Sequence, residues 1–429
     1  MENDVFDYVI AGLGAGGAAL ARQLTSKGKR VLAIESGSYY KKEVGTFLDT
    51  LGYFDLNRIT RMPPRTKSGV NLWRTKMVGG TTVVSTGNGV RCLEKELAAL
   101  GIFLEDEYKE AEAEMNIIPY NHKRLSRGTK RLQVASADLG YELDAMPKFI
   151  DPKKCRRCGD CQMGCLYGAK WTALNDVEEA KENGLEILSN THVIRVNSAS
   201  GRARSVTVGN RKGRYEIYGN IFILAAGGMG TAPILQRSGI EEAGSKFFAD
   251  LFVNTYGQIK EPERVKEPKM ALVHTGTYDK EGFILSTMAT LNAVVRFIEM
   301  GVPGMMLPQD RTVGMMTKIR DDSAGSVDKN NGYHKQITTG DREKLTRGIS
   351  ISKKILTRAG ISERSIRVTR IQGAHPGGTA AIGNVVDKEL QTKIKGLYVC
   401  DASVLPVAPG LPPILTIVAL ARRLSKILD

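Results

Sequence analysis

The residues most able to do chemistry sit in three places along the 429-residue chain. Near the start, Gly12-Leu13-Gly14-Ala15-Gly16-Gly17 satisfies G-x-G-x-x-G directly after Tyr8-Val9-Ile10-Ala11, and Glu35 follows eighteen residues beyond Gly17. In the middle, four of the six cysteines (Cys155, Cys158, Cys161 and Cys165) fall within eleven residues. Towards the end His375, one of five histidines, precedes Pro376-Gly377-Gly378-Thr379. A glycine turn that opens a helix presents backbone N–H groups to a pyrophosphate. Gly12 permits the tight turn, Gly14 the close approach, and Gly17 the packing of helix on strand. Glu35 can accept hydrogen bonds from ribose hydroxyls, which disfavours a 2′-phosphate and leaves NAD and FAD both open. Four thiols spaced Cys-x2-Cys-x2-Cys-x3-Cys have the ligand count of one cubane [4Fe–4S] cluster or a tetrahedral metal site. Zinc is the alternative, although its ligands more often come as two separated pairs. Imidazole titrates near neutrality and is the natural base for the hydroxyl proton lost when a hydride leaves an alcohol. A histidine beside glycines also suits a purely structural role.

Those groups need elements to hold them. Tyr8–Ala11, Ala15–Ser26 and Val31–Ile34 read as strand, helix and strand. A second glycine group, Gly79-Gly80-Thr81-Thr82, is followed by Gly87-Asn88-Gly89 and Arg91 and suits a loop pressed on another part of an extended cofactor. Asp106–Asn116 reads as an exposed helix and Cys155–Cys165 as a loop. Residues 186–225 read as strands, with Ile221–Ala225 fully buried. The region 241–340 is mixed. Its methionines (Met300, Met305, Met306, Met315 and Met316) are read as ordinary core packing rather than a substrate lining. A strand-like run, Ile366–Ile371, precedes His375. Asp341–Ala359 and Thr416–Leu428 read as helices, and Ile394–Val399 as one more strand.

Composition narrows the class. With 42% hydrophobic and 25% charged residues the chain is neither disordered, collagen-like nor a coiled coil. Lysine and arginine number 61 against 46 acids, a net +15 that attracts anions. Acids interleave with the basic residues and no recognition motif appears, so a nucleic-acid partner is not expected. The start, Met1-Glu2-Asn3-Asp4, lacks the basic flank of a signal peptide, and no apolar run reaches the ~18–20 residues of a membrane span. Clustered cysteines point to a reducing compartment. The expectation is a soluble, cytoplasmic protein without a transmembrane segment.

Taken together, the motifs resemble the glucose-methanol-choline (GMC) flavoprotein oxidoreductases. The likeness runs through the N-terminal fingerprint, Gly79–Thr82, Ile223–Pro233, Ser238-Gly239-Ile240, His375–Thr379, Gly396–Pro406 and Thr416–Ala421, in the family's order. It implies FAD and a hydride taken from an alcohol-type carbon of a small-molecule substrate. It also implies an α/β fold: a Rossmann-type FAD-binding domain assembled from N- and C-terminal segments, an α+β substrate domain and a cysteine-rich insertion. The expected divisions are 1–92, 186–240 and 367–429 for the flavin part, 93–185 for the insertion and 241–366 for the substrate part. The resemblance places Ala226, Gly227, Asp401 and Ala402 against the flavin and makes His375 the catalytic base.

One departure stands out. Pro412 occupies the position where the family carries an Asn or His as partner to that base, and proline offers no side-chain donor or acceptor. His334, Tyr333 and Lys335 are candidate replacements. The gap admits two alternatives: reduction of an activated double bond, or a non-catalytic electron-transfer flavoprotein subunit of a larger redox complex. The cysteines with Gly168-Ala169-Lys170 resemble a subset related to long-chain fatty alcohol oxidases, and Cys92 or Cys400 could replace Cys165 as a ligand. An iron–sulfur cluster would pass electrons singly to a protein or quinone acceptor. Lys153, Lys154, Arg156 and Arg157 could offset its charge or dock an acidic electron carrier or partner subunit.

Overall fold

The computed structural model describes residues 5–40, 44–56, 62–261, 266–288 and 293–428; the acidic start, Met1–Asp4, lies outside the described residues. Two sheets organise them. In the first, Phe6–Ala11 pairs in parallel with Val31–Ile34 on one side and with the end of Gly213–Leu224 on the other. Glu186–Leu188 extends the sheet beyond Val31–Ile34, and Leu397–Val399 pairs in parallel with Phe222–Leu224. Strands covered on both faces read as continuous apolar runs, and Val31–Ile34 and Val9–Ala11 are buried throughout. The other half of Gly213–Leu224 leaves this parallel core and forms an antiparallel meander with Arg202–Asn210 and His192–Ala199. The helix Ala15–Ser26 packs against Ala173–Glu182 and Ile414–Ile427, so both chain ends close on the same core.

The second sheet runs Asn71–Leu72, Gln372–Gly373, Leu251–Gln258, Thr312–Ile319, Phe283–Met288, Leu272–His274, Asp144–Ala145. Its central strands are antiparallel, and every residue of Thr312–Ile319 and Phe283–Met288 is buried. The helix Thr339–Arg358 covers this sheet. It starts at a capping box in which the Thr338 side chain accepts from Asp341 N and the Asp341 side chain accepts from Thr338 N. Asn71–Leu72 and Gln372–Gly373 lie in the segments expected to be wholly flavin-binding, yet they pair with each other in this second sheet. The strand-like run before His375 is shorter than its sequence suggests, with only Arg367–Val368 and Gln372–Gly373 paired. Among the described residues no helix is long and apolar enough to cross a membrane.

Candidate active site

The cradle begins where Phe6–Ala11 ends. Gly12 has φ +105°, and a Cβ there would lie 2.3 Å from the Ala225 carbonyl oxygen, so only glycine turns the chain here. A Cβ on Gly17 would strike the Gly12 carbonyl at 2.0 Å and the Ala225 methyl at 3.0 Å, which makes Gly17 the contact of helix with strand. A Cβ on Gly14 would meet no protein atom within 4 Å. Gly14 lies on the wall of a cavity of about 620 Å³, at the start of a helix that no side chain caps. First-turn N–H groups without partners are what a pyrophosphate needs. Glu35 is buried in the same wall, where it accepts from Leu13 N, Gly37 N and Ser36 Oγ at 3.1, 2.8 and 3.1 Å. Burial raises its pKa against those donors.

The later glycine groups interlock with the first. Gly79 N donates to the Leu13 carbonyl at 2.8 Å, and a Cβ on Gly80 would lie 2.9 Å from Gly14 Cα. Gly80, Thr81 and Thr82 line the cavity, although Thr82 Oγ1 is committed to Gly79 O and Ala173 N. Ala226, Gly227, Asp401 and Ala402 line it as well. The Asp401 carboxylate is fully engaged with protein: it accepts from Gly227 N, Thr231 Oγ1 and Ser403 N at 2.8, 2.5 and 2.7 Å. Those bonds tie it to the Gly227 turn. Gly378 N donates to Ala402 O, and a Cβ on Gly228 would clash with Pro376 O at 2.0 Å, which docks the turn after His375 onto the cradle.

His375 lines the far part of that cavity, and its side chain is 25% exposed. Both of its side-chain contacts run through Nδ1: Asp250 Oδ2 at 3.0 Å and Lys318 Nζ at 2.7 Å. Lys318 Nζ is also 2.9 Å from Asp250 Oδ2, and Gly410 N donates to Asp250 Oδ1 at 2.9 Å. Burial and the Lys318 cation push His375 down to about 4, with Asp250 opposing them. Burial alone would raise Asp250, but Lys318 and His375 more than offset it and leave the carboxyl below its usual range. Phe252, Met270, Met288, Met316 and Ala374 form an apolar wall beside His375.

The four clustered cysteines line a separate small pocket of about 20 Å³, while Cys92 and Cys400 are buried elsewhere in the core. Burial raises the thiols of Cys158 and Cys161, the latter to about 11. Among the described residues no three of His, Cys, Asp or Glu converge tightly enough to hold a metal ion. The surroundings are nevertheless cationic. Lys170 Nζ donates to Val83 O, Ser85 O and Cys161 O, and Lys148 Nζ to Thr86 O, Asn88 Oδ1 and Lys269 O. Neither has a carboxylate partner among the described residues, and burial pushes them down to about 7 for Lys148 and about 8 for Lys170.

Residues 6–251 match the N-terminal part of the GMC oxidoreductase family and residues 329–421 its C-terminal part. The chain belongs to the GMC oxidoreductase family. It is 30% identical to an uncharacterized protein of Methanocaldococcus jannaschii, across 98% of this chain and 99% of that one. A long-chain-alcohol oxidase of Arabidopsis thaliana is 24% identical over 97% of this chain and 67% of its own length. Among solved structures, pyridoxine 4-oxidase from Mesorbium loti superposes with a TM-score of 0.77 at 17% identity, covering 98% of this chain and 99% of that one.

Within this GMC oxidoreductase, Pro412, read from the sequence as standing where a second catalytic group is expected, does line the cavity. The candidates drawn from the sequence do not replace it. Tyr333, His334 and Lys335 form one strand of a small hairpin and do not line the cavity; the Tyr333 hydroxyl accepts from Arg74 in its wall at 3.3 Å, and Lys335 is buried against Asp321 and Asp341. The groups that do meet His375, Asp250 and Lys318, were missed. Each carried a signal: a charge inside an apolar run, Phe247–Val253 for Asp250 and Val313–Ile319 for Lys318. Met315 packs in the core and Met316 faces the cavity, whereas Met305 and Met306 are exposed.

Proposed function

We propose that the chain is an FAD-dependent dehydrogenase that takes a hydride from an alcohol carbon. The observation that carries this is one continuous cavity joining the glycine cradle and Glu35 to His375 and an apolar wall. Its size falls in the range of cofactor and substrate sites. FAD, when bound, supplies the hydride acceptor. Gly14 and the first turn of Ala15–Ser26 hold its pyrophosphate, and Glu35 meets its ribose. His375 presents Nε2 to the substrate hydroxyl and takes its proton as the hydride leaves. The apolar wall suits a substrate with a hydrocarbon tail, in line with the alcohol oxidases among its relatives. The test is anaerobic reduction of the bound flavin by a series of primary alcohols of increasing length. His375→Ala should slow it by roughly 10²–10⁴-fold; an unchanged rate refutes the assignment.

Cys155, Cys158, Cys161 and Cys165 hold a [4Fe–4S] cluster in this proposal, with zinc as the alternative. The pocket that the four cysteines share supports it, with the Lys170 amine donating to the Cys161 carbonyl at its edge. Such a cluster supplies one-electron transfer to an external protein or quinone acceptor. Metal analysis of anaerobically purified protein decides: about four irons per chain supports the cluster, and zinc without iron excludes it.

A further inference from the structure

One nitrogen of His375 has two partners with opposing demands. A carboxylate only accepts, so the 3.0 Å contact with Asp250 Oδ2 requires a hydrogen on Nδ1. An ammonium only donates, so the 2.7 Å contact with Lys318 Nζ requires Nδ1 to be bare while Lys318 is charged. Both contacts are satisfied together only by a neutral amine at Lys318. The charge on Lys318 therefore selects the tautomer. With Lys318 protonated, the ring hydrogen sits on Nε2, and His375 can donate into the cavity but cannot take a proton. With Lys318 neutral, Nδ1 carries the hydrogen and Nε2 is free to act as a base.

We propose that Lys318 is the positioning residue that sets which nitrogen of His375 meets the substrate, the task left open by Pro412; this rests on the alcohol-oxidising reading of the cavity. The fold holds Lys318 rigidly for it. Lys318 lies in a fully buried central strand, in register with Phe252 on one neighbour and Ile284 on the other, and its side chain is 2% exposed. The other groups facing it are accounted for. Asp321 is paired with Lys335 at 3.1 Å, and the Cys92 thiol is 3.1 Å from Thr416 Oγ1. Burial lowers the proton affinity of Lys318 while Asp250 opposes that change. Protons balance across the cycle. As the C–H electron pair leaves for the flavin, the substrate O–H breaks and its proton binds Nε2, while the Nδ1 hydrogen passes to the Lys318 amine. The products are a carbonyl compound, a neutral imidazole with hydrogen on Nε2, and an ammonium paired with Asp250.

The experiment is a pH titration of the flavin-loaded protein labelled with ¹⁵N-histidine, with His375 assigned by its absence from the spectrum of His375→Gln. In the wild type, His375 should exchange between two neutral tautomers, hydrogen on Nδ1 at high pH and on Nε2 at lower pH, before any imidazolium forms. A single neutral tautomer over the whole range overturns the proposal, and that measurement needs no variant. Lys318→Met should abolish the exchange, hold the hydrogen on Nδ1 and raise the proton affinity of His375 by about tenfold or more, one pH unit. Lys318→Arg, charged at every pH, should hold it on Nε2 and slow flavin reduction by alcohols. A His375 titration unchanged in Lys318→Met also overturns it. Tautomer exchange without reduction by any alcohol sinks the alcohol-oxidising reading and leaves the role of Lys318 standing; reduction without exchange does the reverse.

Discussion

Gly12 and Gly14 are two residues apart and belong to one fingerprint, yet substituting them should do opposite things. In Gly12→Ala the new methyl group sits at φ +105°, 2.3 Å from Ala225 O and 2.7 Å from Ala225 C, atoms held in the central parallel sheet. The disfavoured backbone costs about 1–3 kcal/mol, and forcing the sheet aside about 1–3 more. The variant should therefore lose on the order of 2–6 kcal/mol of stability with or without flavin. In Gly14→Ala the backbone has φ −84° and the methyl group meets only open cavity. The fold should lose about 0.5–1 kcal/mol, the difference between glycine and alanine at a helix N-cap. Flavin binding should fall instead, because the methyl group occupies the approach of the pyrophosphate; a loss of about 1.4–3 kcal/mol is roughly 10–100-fold in affinity. The assay is urea unfolding of the flavin-stripped protein, followed by fluorescence titration with FAD. If Gly14→Ala without flavin is as unstable as Gly12→Ala, or rebinds FAD like the wild type, the division of labour between turn and cradle is wrong.

Two further outcomes follow from buried groups. Asp401→Ala strands three donors (Gly227 N, Thr231 Oγ1 and Ser403 N), and should cost about 3–5 kcal/mol in urea unfolding, with Asp401→Asn milder because it keeps one acceptor oxygen. For His375, a folded pKa of about 4 against an ordinary 6.5 means the unfolded chain binds more protons between those values. Its contribution to stability is full above pH 6.5 and is lost as pH falls to about 4, on the order of 3 kcal/mol in total. Asp176 and Asp321, both raised to about 6 by burial, act with the opposite sign but are present in either protein. The comparison of wild type with His375→Gln at pH 7 and pH 4 isolates the histidine, and an equal drop in both removes the assigned shift.

The nucleotide end was legible because its determinants are neighbours in the chain. The helix Ala15–Ser26 and strand Val31–Ile34 occur with the bounds their pattern implies, and the roles of Gly12, Gly14 and Gly17 follow from one turn. The second sheet was harder. Its central strands are buried on both faces, so they lack the alternation that marks a strand in sequence. The helices read at Asp106–Asn116, Asp341–Ala359 and Thr416–Leu428 occur within two residues of those bounds, whereas Glu94–Ala99, Arg127–Ala137 and Ala173–Glu182 in the insertion were not read from the sequence. Thr82 and Asp401, read from the sequence as facing the cofactor, line the cavity, and their side chains also hydrogen-bond other parts of the protein.

What the chain determined by itself is local: where a turn needs glycine, where a helix begins, and which histidine stands beside a glycine turn. Those features depend on torsion angles and capping within a few residues. Tertiary structure alone decided the company His375 keeps. Asp250 lies 125 residues before it, directly ahead of the strand Leu251–Gln258, and Lys318 lies 57 residues before it on the neighbouring strand Thr312–Ile319. Only strand register brings the three side chains within 3.0 Å of one another. A proton's position on imidazole depends on charges at that range, and no spacing along the chain reports them.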